Sequence, residues 1–259
     1  MLTRILKGLA PVAALAASTL IAGCDGVNVT IGDSEGVPLA EVDMADANPS
    51  EIVLASPDTI IVNKGDALDI EVSGDQAAVD ALRFHLDNDS LAVSREKDSG
   101  KDLGTATVRV TMPSLTAMVL AGSGTIEADE MSGPAEATIA GSGSAKVGTI
   151  AAEKLEVTIA GSGDFEASGT AKSLEMTIAG TGKGAMSNLQ VDTAEVTVAG
   201  SGDAEFSSDG TVEANIVGSG TVTVNGSATC EVSSMGSGKL VCRSGAKPAQ
   251  DDAAEESEA

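Results

Sequence analysis

Seven Gly-Ser-Gly or Gly-Thr-Gly triplets recur from residue 122 onward, and they limit what this chain can fold into. They begin at residues 122, 141, 161, 180, 200, 218 and 236, with spacings of 18 to 20 residues. A fixed period of this size is typical of a solenoid, in which each repeat forms one coil that packs against its neighbours. Glycine suits a tight corner because it adopts positive φ without a clash from a Cβ atom.

The residues around each triplet alternate between apolar and polar. Apolar positions fall two, four and six residues before the triplet and four and six residues after its first glycine, as with Ile159, Val157, Leu155, Phe165 and Ala167 around Gly161. A period of two is that of a strand with one buried face. Each coil is therefore predicted to contain at least two short strands joined at the triplet. A low-complexity Gly/Ser linker is excluded, because a linker has no reason to keep aligned apolar positions.

We therefore expect an all-β fold, a single right-handed parallel β-helix with coils of about 19 residues and an irregular β-rich N-terminal part. The simplest arrangement pairs each coil with the next one along the chain, about 4.8 Å away. Residues 50–115 lack the triplet but carry alternating segments, such as Leu68, Ile70 and Val72. Within them, residues 75–84 predict one short helix and residues 96–104 a polar loop.

Composition restricts both the core and the partners. The 259 residues include 39 acids and 15 bases, giving a net charge of −24, with three phenylalanines and no tryptophan or tyrosine. Nucleic acid is excluded as a partner, since phosphate neutralisation needs clustered Lys and Arg and base stacking uses aromatic rings. The core is predicted to consist of small and branched side chains.

The first 24 residues resemble a bacterial lipoprotein leader. Arg4 and Lys7 precede an apolar stretch of 13 residues, which ends in Leu20-Ile21-Ala22-Gly23-Cys24. The resemblance implies a signal peptide over residues 1–23, cleavage before Cys24 and lipidation of Cys24. We expect a tether over residues 24–49, the β-helix domain over residues 50–244 and an acidic disordered tail over residues 245–259. The expected location is the envelope of a Gram-negative bacterium, on the periplasmic or surface side of either membrane.

Two cysteines remain, and both fall on predicted inward positions of the last coil. Cys230 and Cys242 stand six residues before and six residues after Gly236. An exported protein meets oxidising conditions, so we favour a structural disulfide that pins the end of the core. The alternative is two separate buried thiols.

One outward position carries glutamate in six successive coils. The residues stand five positions before a triplet, and they are Glu136, Glu156, Glu175, Glu195, Glu213 and Glu231. Stacked carboxylates repel one another by about 1 kcal/mol per pair in water. The column is therefore a possible binding site for cations or a basic partner. The alternative, which we favour, is a solvated face that resists edge pairing. Lys154 and Lys146 are the nearby bases, and we expect both to be isolated.

Other candidate chemistry in the sequence is weak. The triplet serines lack a repeated base, and the single histidine, His85, precedes the repeats. Gly-Ser-Gly-Asp occurs at Asp164 and Asp203, but without the dense nine-residue pattern of calcium-binding repeats. Gly182-Lys183 and Gly238-Lys239 lack the other residues of a phosphate-binding loop. We expect no cofactor, no dedicated metal site and no catalysis.

The motifs together resemble a known family. The pattern runs from Asp58-Thr-Ile-Ile-Val through Leu68-Asp-Ile-Glu-Val and Val108-Arg-Val-Thr-Met-Pro-Ser-Leu into the Ala-Gly-Ser-Gly repeats. It resembles the head GIN domain family, labelled auto-transporter adhesin, over residues 50–244. The resemblance implies an exported β-helical domain, often on a lipoprotein, and supplies no catalytic residues.

The expected function is that of a non-enzymatic, lipid-anchored cell-envelope protein with an adhesin-like or interaction role. The alternatives are a polysaccharide-processing β-helix enzyme and a periplasmic protein that binds cations or a basic partner through the glutamate column. The expected partners are the membrane, through the lipid anchor, and an envelope or surface ligand that the sequence does not identify. The oligomeric state is left open.

Overall fold

The computed structural model describes residues 36–45, 47–100 and 102–243. Its strands belong to one 15-stranded sheet that winds into a solenoid. The regular part comprises nine strands: β7 (Ala117–Gly122), β8 (Thr125–Gly141), β9 (Ser144–Gly161), β10 (Asp164–Gly180), β11 (Lys183–Gly200), β12 (Asp203–Gly218), β13 (Thr221–Asn225), β14 (Thr229–Gly236) and β15 (Lys239–Arg243).

The predicted coil-on-coil register is confirmed for this part. Each coil pairs in parallel with the coil one period later, so that Ile139 lies beside Ile159 and Ile159 beside Ile178. From one triplet to the next, the chain forms a nearly continuous strand, as in β9, rather than two separate short strands. In the middle of a coil the strand bends instead of ending. Shifts in the pairing register mark these bends, for example between Gly133 and Pro134.

The alternating apolar residues fill the interior as predicted. Ile139, Ile159 and Ile178 are fully buried, and the neighbouring columns are buried through all but the last coil. In the column four residues after the first triplet glycine, large and small residues alternate from Ile126 to Gly184. Phe165 lies between Ala145 and Gly184 in neighbouring coils, which gives its ring room in a core of small residues.

The triplet corner requires glycine for two separate reasons. The first glycine of each triplet has positive φ, for example +122° at Gly161. A Cβ atom placed there would lie 2.4 Å from the carbonyl oxygen of Gly141 in the coil before. From Gly141 onward, the stacked corners are therefore too close for any side chain at this position, whereas Gly122 in the first triplet has open space around it.

The N-terminal part does not follow the order of the chain, which corrects the simplest arrangement expected. Its elements are β1 (Glu51–Ala55), β2 (Thr59–Lys64), β3 (Asp69–Gly74), α1 (Gln76–Ala81), β4 (Leu82–Leu86), β5 (Ser90–Arg95) and β6 (Ala106–Met112). Strand β1 pairs in parallel with β5 on one side and with β7 on the other, and β2 lies likewise between β6 and β8. The earliest coil thus lies inside two coils that follow it in sequence.

Antiparallel strands close the N-terminal end of the solenoid. Strand β3 pairs antiparallel with β6, and β4 with β5. The predicted helix over residues 75–84 is shorter than expected, since α1 spans only Gln76–Ala81 and the chain then continues directly as β4. Val37 adds a bridge to Phe84, with reciprocal backbone hydrogen bonds of 2.8 Å, and a short 3-10 turn over Leu39–Glu41 follows it.

The C-terminal end is the last coil, made of β14, the corner at residues 236–238, and β15. Cys230 and Cys242 form a disulfide across this coil, with Cα atoms 6.8 Å apart, so the predicted bond is confirmed. Cys242 is exposed rather than buried, because no described coil follows to cover it. The bond therefore ties the two sides of the coil together.

The leader over residues 1–23, the lipidation site Cys24 and the acidic tail over residues 245–259 lie outside the described residues. Within the described part of the chain, no helix combines the length and apolar character needed to cross a membrane.

Candidate interaction surface

The strands that precede the triplets form one lateral side of the solenoid, which we call the glutamate face. It consists of β1, β7, the triplet-proximal halves of β8 to β12, and β14. The predicted column is confirmed in register: each of the six glutamates lies directly beside the next, from Glu136 to Glu231. Five of them are exposed, and Glu156 is half-buried. Along this face, neighbouring coils place carboxylate beside carboxylate.

Two further columns lie beside the glutamates. Threonine occupies the position three residues before the triplet in four successive coils, and alanine occupies the position one residue before it in five. These residues are Thr138, Thr158, Thr177 and Thr197, and Ala121, Ala140, Ala160, Ala179 and Ala199. Because outward side chains alternate along each strand, the face repeats Glu, Thr and Ala in the four coils from Glu136 to Ala199. The result is a flat, regular surface of short side chains with an acidic border.

The glutamate column extends beyond the repeats at its N-terminal end. Glu51 in β1 lies beside Ala117, which in turn lies beside Glu136. Partial burial of Glu51 raises its pKa, and the nearby carboxylates of Glu136, Asp87 and Asp89 raise it further. Sequence reasoning missed this residue because β1 precedes the triplets, and only the pairing of β1 with β7 places it on the column.

Lys154 is not isolated, contrary to the sequence-based expectation. Its Nζ atom lies 3.0 Å from a carboxylate oxygen of Glu175 and also contacts Glu156, so it bridges two members of the column. The hydrogen bonds that Lys154 donates to these two carboxylates raise its pKa. Lys146 also has a partner, Glu166, at 3.1 Å on a different side of the coil. The acidic column is thus partly neutralised at its middle.

The side that follows the triplets uses charge differently. Asp164, Lys183 and Asp203 lie beside one another in successive coils, so opposite charges alternate there. Lys183 therefore separates the two aspartates whose Gly-Ser-Gly-Asp motif suggested calcium. Among the described residues, no three or more His, Cys, Asp or Glu side chains are grouped so as to hold a metal ion.

The middle segments of strands β8 to β11 form a third side of the solenoid. This side carries a shallow groove of about 370 Å³. Small residues at a bend leave this space, among them Gly133, Ala151 and Ala171. Lys172 and Glu153 form an ion pair at its rim, in which the hydrogen bond from Lys172 lowers the pKa of Glu153. The charges of Lys172 and Glu153 therefore compensate each other.

The triplet serines and His85 are not brought together. His85 lies in β4, which β5 and β1 separate from the first triplet strand, β7. Along the corner, Thr181 donates a hydrogen bond of 2.9 Å to the hydroxyl oxygen of Ser162. These two hydroxyls thus link neighbouring corners.

Sequence reasoning missed one buried ion pair. Asp58 is fully buried and accepts hydrogen bonds from Arg95 Nε (2.9 Å), Arg95 Nη2 (2.6 Å) and the amide of Ala106 (2.8 Å). The hydrogen bonds to Asp58 raise the pKa of Arg95. Asp58 stands at the corner between β1 and β2, where later coils have the second triplet glycine. This pair joins three coil segments and is structural.

The family model described as "Putative auto-transporter adhesin, head GIN domain" matches residues 48–228. The chain belongs to the head GIN domain family. Its match ends before the last coil, so β14, β15 and the disulfide lie beyond the part that the family model covers. No curated protein sequence matches the chain.

Several crystal structures share the fold of this GIN domain. One, described as a putative adhesin from Bacteroides fragilis, is 21% identical with a TM-score of 0.70, and the match covers 75% of this chain and 92% of that one. A putative lipid binding protein from Parabacteroides distasonis is 22% identical with a TM-score of 0.59, covering 78% and 94%. A putative adhesin from the same species is 18% identical with a TM-score of 0.63, covering 76% and 93%. At these identities the likeness shows the fold alone.

Proposed function

We propose that this GIN domain protein is a lipid-anchored, non-enzymatic component of a Gram-negative cell envelope that makes adhesin-like contacts through a lateral side of its β-helix. The observation that carries the proposal is the glutamate face. Its eight stacked strands span about 34 Å at the usual spacing between strands. Small-molecule sites are concave, whereas this surface is flat and repeats one chemistry. It suits an extended or repetitive macromolecule.

The charge of the face selects the kind of partner. Six glutamates stand in line, and the single positive charge of Lys154, shared between Glu156 and Glu175, offsets one of their two negative charges. A partner with regularly spaced basic groups would gain an attraction from each uncompensated carboxylate. Because these carboxylates are mostly exposed, each contributes little alone and the attraction weakens as salt rises.

The family membership supports an adhesin-like role, since its description names adhesins. Two of the structural neighbours are also described as putative adhesins, and one is described as a putative lipid binding protein. The leader over residues 1–23 with Cys24 supports attachment to a membrane through lipid. A lipid at Cys24 would leave the β-helix connected by the 24–49 tether.

The contact surface is tested by comparing two triple variants in cells from which the gene has been deleted. Glu136→Gln, Glu195→Gln and Glu213→Gln remove three charges from the glutamate face at positions that Lys154 does not contact. Glu127→Gln, Glu166→Gln and Glu205→Gln remove the same number from the side that follows the triplets. Attachment of cells to immobilised host or bacterial surface material is the measurement. We expect the first triple variant to reduce attachment and the second to leave it unchanged.

Equal attachment by both triple variants and the parent would contradict the assignment of the glutamate face. Attachment that does not depend on the gene would contradict the adhesin-like role itself. Turnover of a glycan by the purified protein would instead favour the enzyme alternative.

The anchor is tested separately. Cys24→Ser is expected to abolish incorporation of labelled palmitate, and protease treatment of intact cells shows whether the domain faces outward. Continued labelling of the Cys24→Ser variant would refute the lipidation site.

A further inference from the structure

In the part of the chain that the structure describes, the last coil ends in a strand edge that no other strand covers. Within the described residues, β14 pairs only with β12 and β15 only with β13, so one side of each strand has no neighbour. Natural proteins protect such edges with lysine, proline, bulges or a covering segment. Strand β14 has eight residues, no lysine or proline, and one charge, Glu231. An edge of this length is a template for pairing with another strand.

Apolar side chains are exposed on the same coil. Val232 is 53% exposed, although the equivalent residues of the six preceding coils are almost fully buried, and Met235 is 75% exposed. Leu240 in β15 is half-buried. The open end therefore combines unpaired backbone groups with part of the core cross-section.

The coil has an approximate mirror order of residue types about its corner. Val232 and Leu240 stand four residues before and four after Gly236, and Cys230 and Cys242 stand six before and six after. Five residues before is Glu231. Five residues after is Val241, which lies between Lys239 and Arg243 on the outward side. The disulfide holds the two sides of this arrangement in place.

We propose that two copies of this chain associate end to end through the last coil, about a twofold axis that passes through the corner at residues 236–238. This axis exchanges the two sides of the corner. It therefore places β14 antiparallel to the partner's β15. Val232 then packs on the partner's Leu240. Glu231 lies diagonally between the partner's Lys239 and the partner's Arg243, the arrangement in which cross-strand charges attract.

The symmetry also limits the assembly to a dimer. The opposite end of the solenoid is closed by the antiparallel strands β3 and β4, by α1, and by the bridge between Val37 and Phe84. An interface that a twofold axis generates is self-complementary and closes on itself. The cross-section of one coil is small for an interface, so the dimer is weak and depends on concentration.

Cross-linking tests the axis directly. Residues 25–259, which contain every described residue and the acidic tail, are exported behind a cleavable leader so that the disulfide forms. Ser237→Cys places a thiol next to the proposed axis, where the two copies meet at a separation that a disulfide spans. Ser219→Cys is the matched control, at the same corner one coil earlier. Its two thiols are about 10 Å further apart, since each copy adds one strand spacing.

Mild oxidation of the purified proteins is expected to produce a covalent dimer with Ser237→Cys and not with Ser219→Cys. Equal cross-linking of both variants, or no cross-linking of either at millimolar concentration, would overturn the proposal. The absence of cross-linking in both variants is also the result expected if residues 244–259 pair with this edge in place of a second copy.

A second pair of variants tests the apolar contact in solution. Val232→Lys introduces a charge at the open end, whereas Val217→Lys changes a valine of equal exposure on the side of the preceding coil. Sedimentation equilibrium across a concentration series gives the dimer dissociation constant. We expect Val232→Lys to weaken the dimer at least tenfold and Val217→Lys to leave it unchanged. Equal effects of the two substitutions, with circular dichroism showing both folded, would overturn the proposed interface.

Discussion

Two alanine substitutions at triplet glycines separate backbone conformation from close packing between coils. Gly122 and Gly161 have nearly the same φ, +121° and +122°. A Cβ atom on Gly122 would meet nothing within 4 Å, whereas one on Gly161 would lie 2.4 Å from the carbonyl oxygen of Gly141. The reason for the difference is that Ser56, rather than a glycine, stands at the corner before Gly122. The two variants therefore share the conformational cost and differ in the steric one.

The expected magnitudes follow from these distances. A non-glycine residue in this region of φ costs about 1–3 kcal/mol, which applies to Gly122→Ala and Gly161→Ala alike. Forcing a methyl group against the stacked backbone in Gly161→Ala adds about 1–3 kcal/mol. In a domain of this size, each kcal/mol lowers the melting temperature by about 2–4 °C. Gly161→Ala is therefore expected to melt about 2–12 °C below Gly122→Ala.

Scanning calorimetry and far-UV circular dichroism measure the two transitions, with the parent chain as reference. Indistinguishable melting temperatures for Gly122→Ala and Gly161→Ala would show that the contact between corners does not restrict this position. A parent-like melting temperature for both would refute the conformational part of the reasoning as well.

Three further predictions concern the N-terminal coil and the disulfide. Asp58→Asn leaves Arg95 without its buried carboxylate and is expected to lower the free energy of unfolding by about 3–5 kcal/mol, measured in urea. The control is Glu166→Gln, which removes the exposed pair with Lys146 and is expected to cost less than about 1 kcal/mol. Because the pKa of Glu51 is raised in the folded state, its ionised form destabilises the protein at neutral pH. Glu51→Gln should therefore raise the melting temperature there, with the gain disappearing as the pH falls through that pKa. Replacing Cys230 and Cys242 by serine removes a cross-link worth about 2–3 kcal/mol, and hydrogen exchange should accelerate in β14 and β15 but not in β9.

The regular part of the fold was predictable because one physical rule acts at every coil. The triplet marks the corner, and a period of two then assigns each residue to the inside or the outside. Ile159, Phe165 and the glutamate column follow from these two rules alone. The disulfide between Cys230 and Cys242 followed from the same register.

The N-terminal coils were not predictable in the same way. Strand β1 carries no triplet, and its place between β5 and β7 depends on contacts that are distant in sequence. For the same reason, neither Glu51 beside the column nor the pair of Asp58 with Arg95 could be located. Lys154 was misjudged because the reach of a long side chain across neighbouring coils is not encoded in the spacing of residues.

The position of β1 and β2 between coils that follow them in sequence has a consequence for how the chain folds. The coils from β9 to β12 pair with residues 17–20 positions earlier, so each can add to the stack once the coil before it has formed. Strand β1 has both of its neighbours only once β7 is in place. The pairing of Glu51 with Ala117 joins residues that are 66 positions apart in sequence. Closing such a long loop is slow compared with adding a coil. We therefore expect the segment from Glu51 to Ala128 to form more slowly than the regular coils, whose pairing partners are close in sequence.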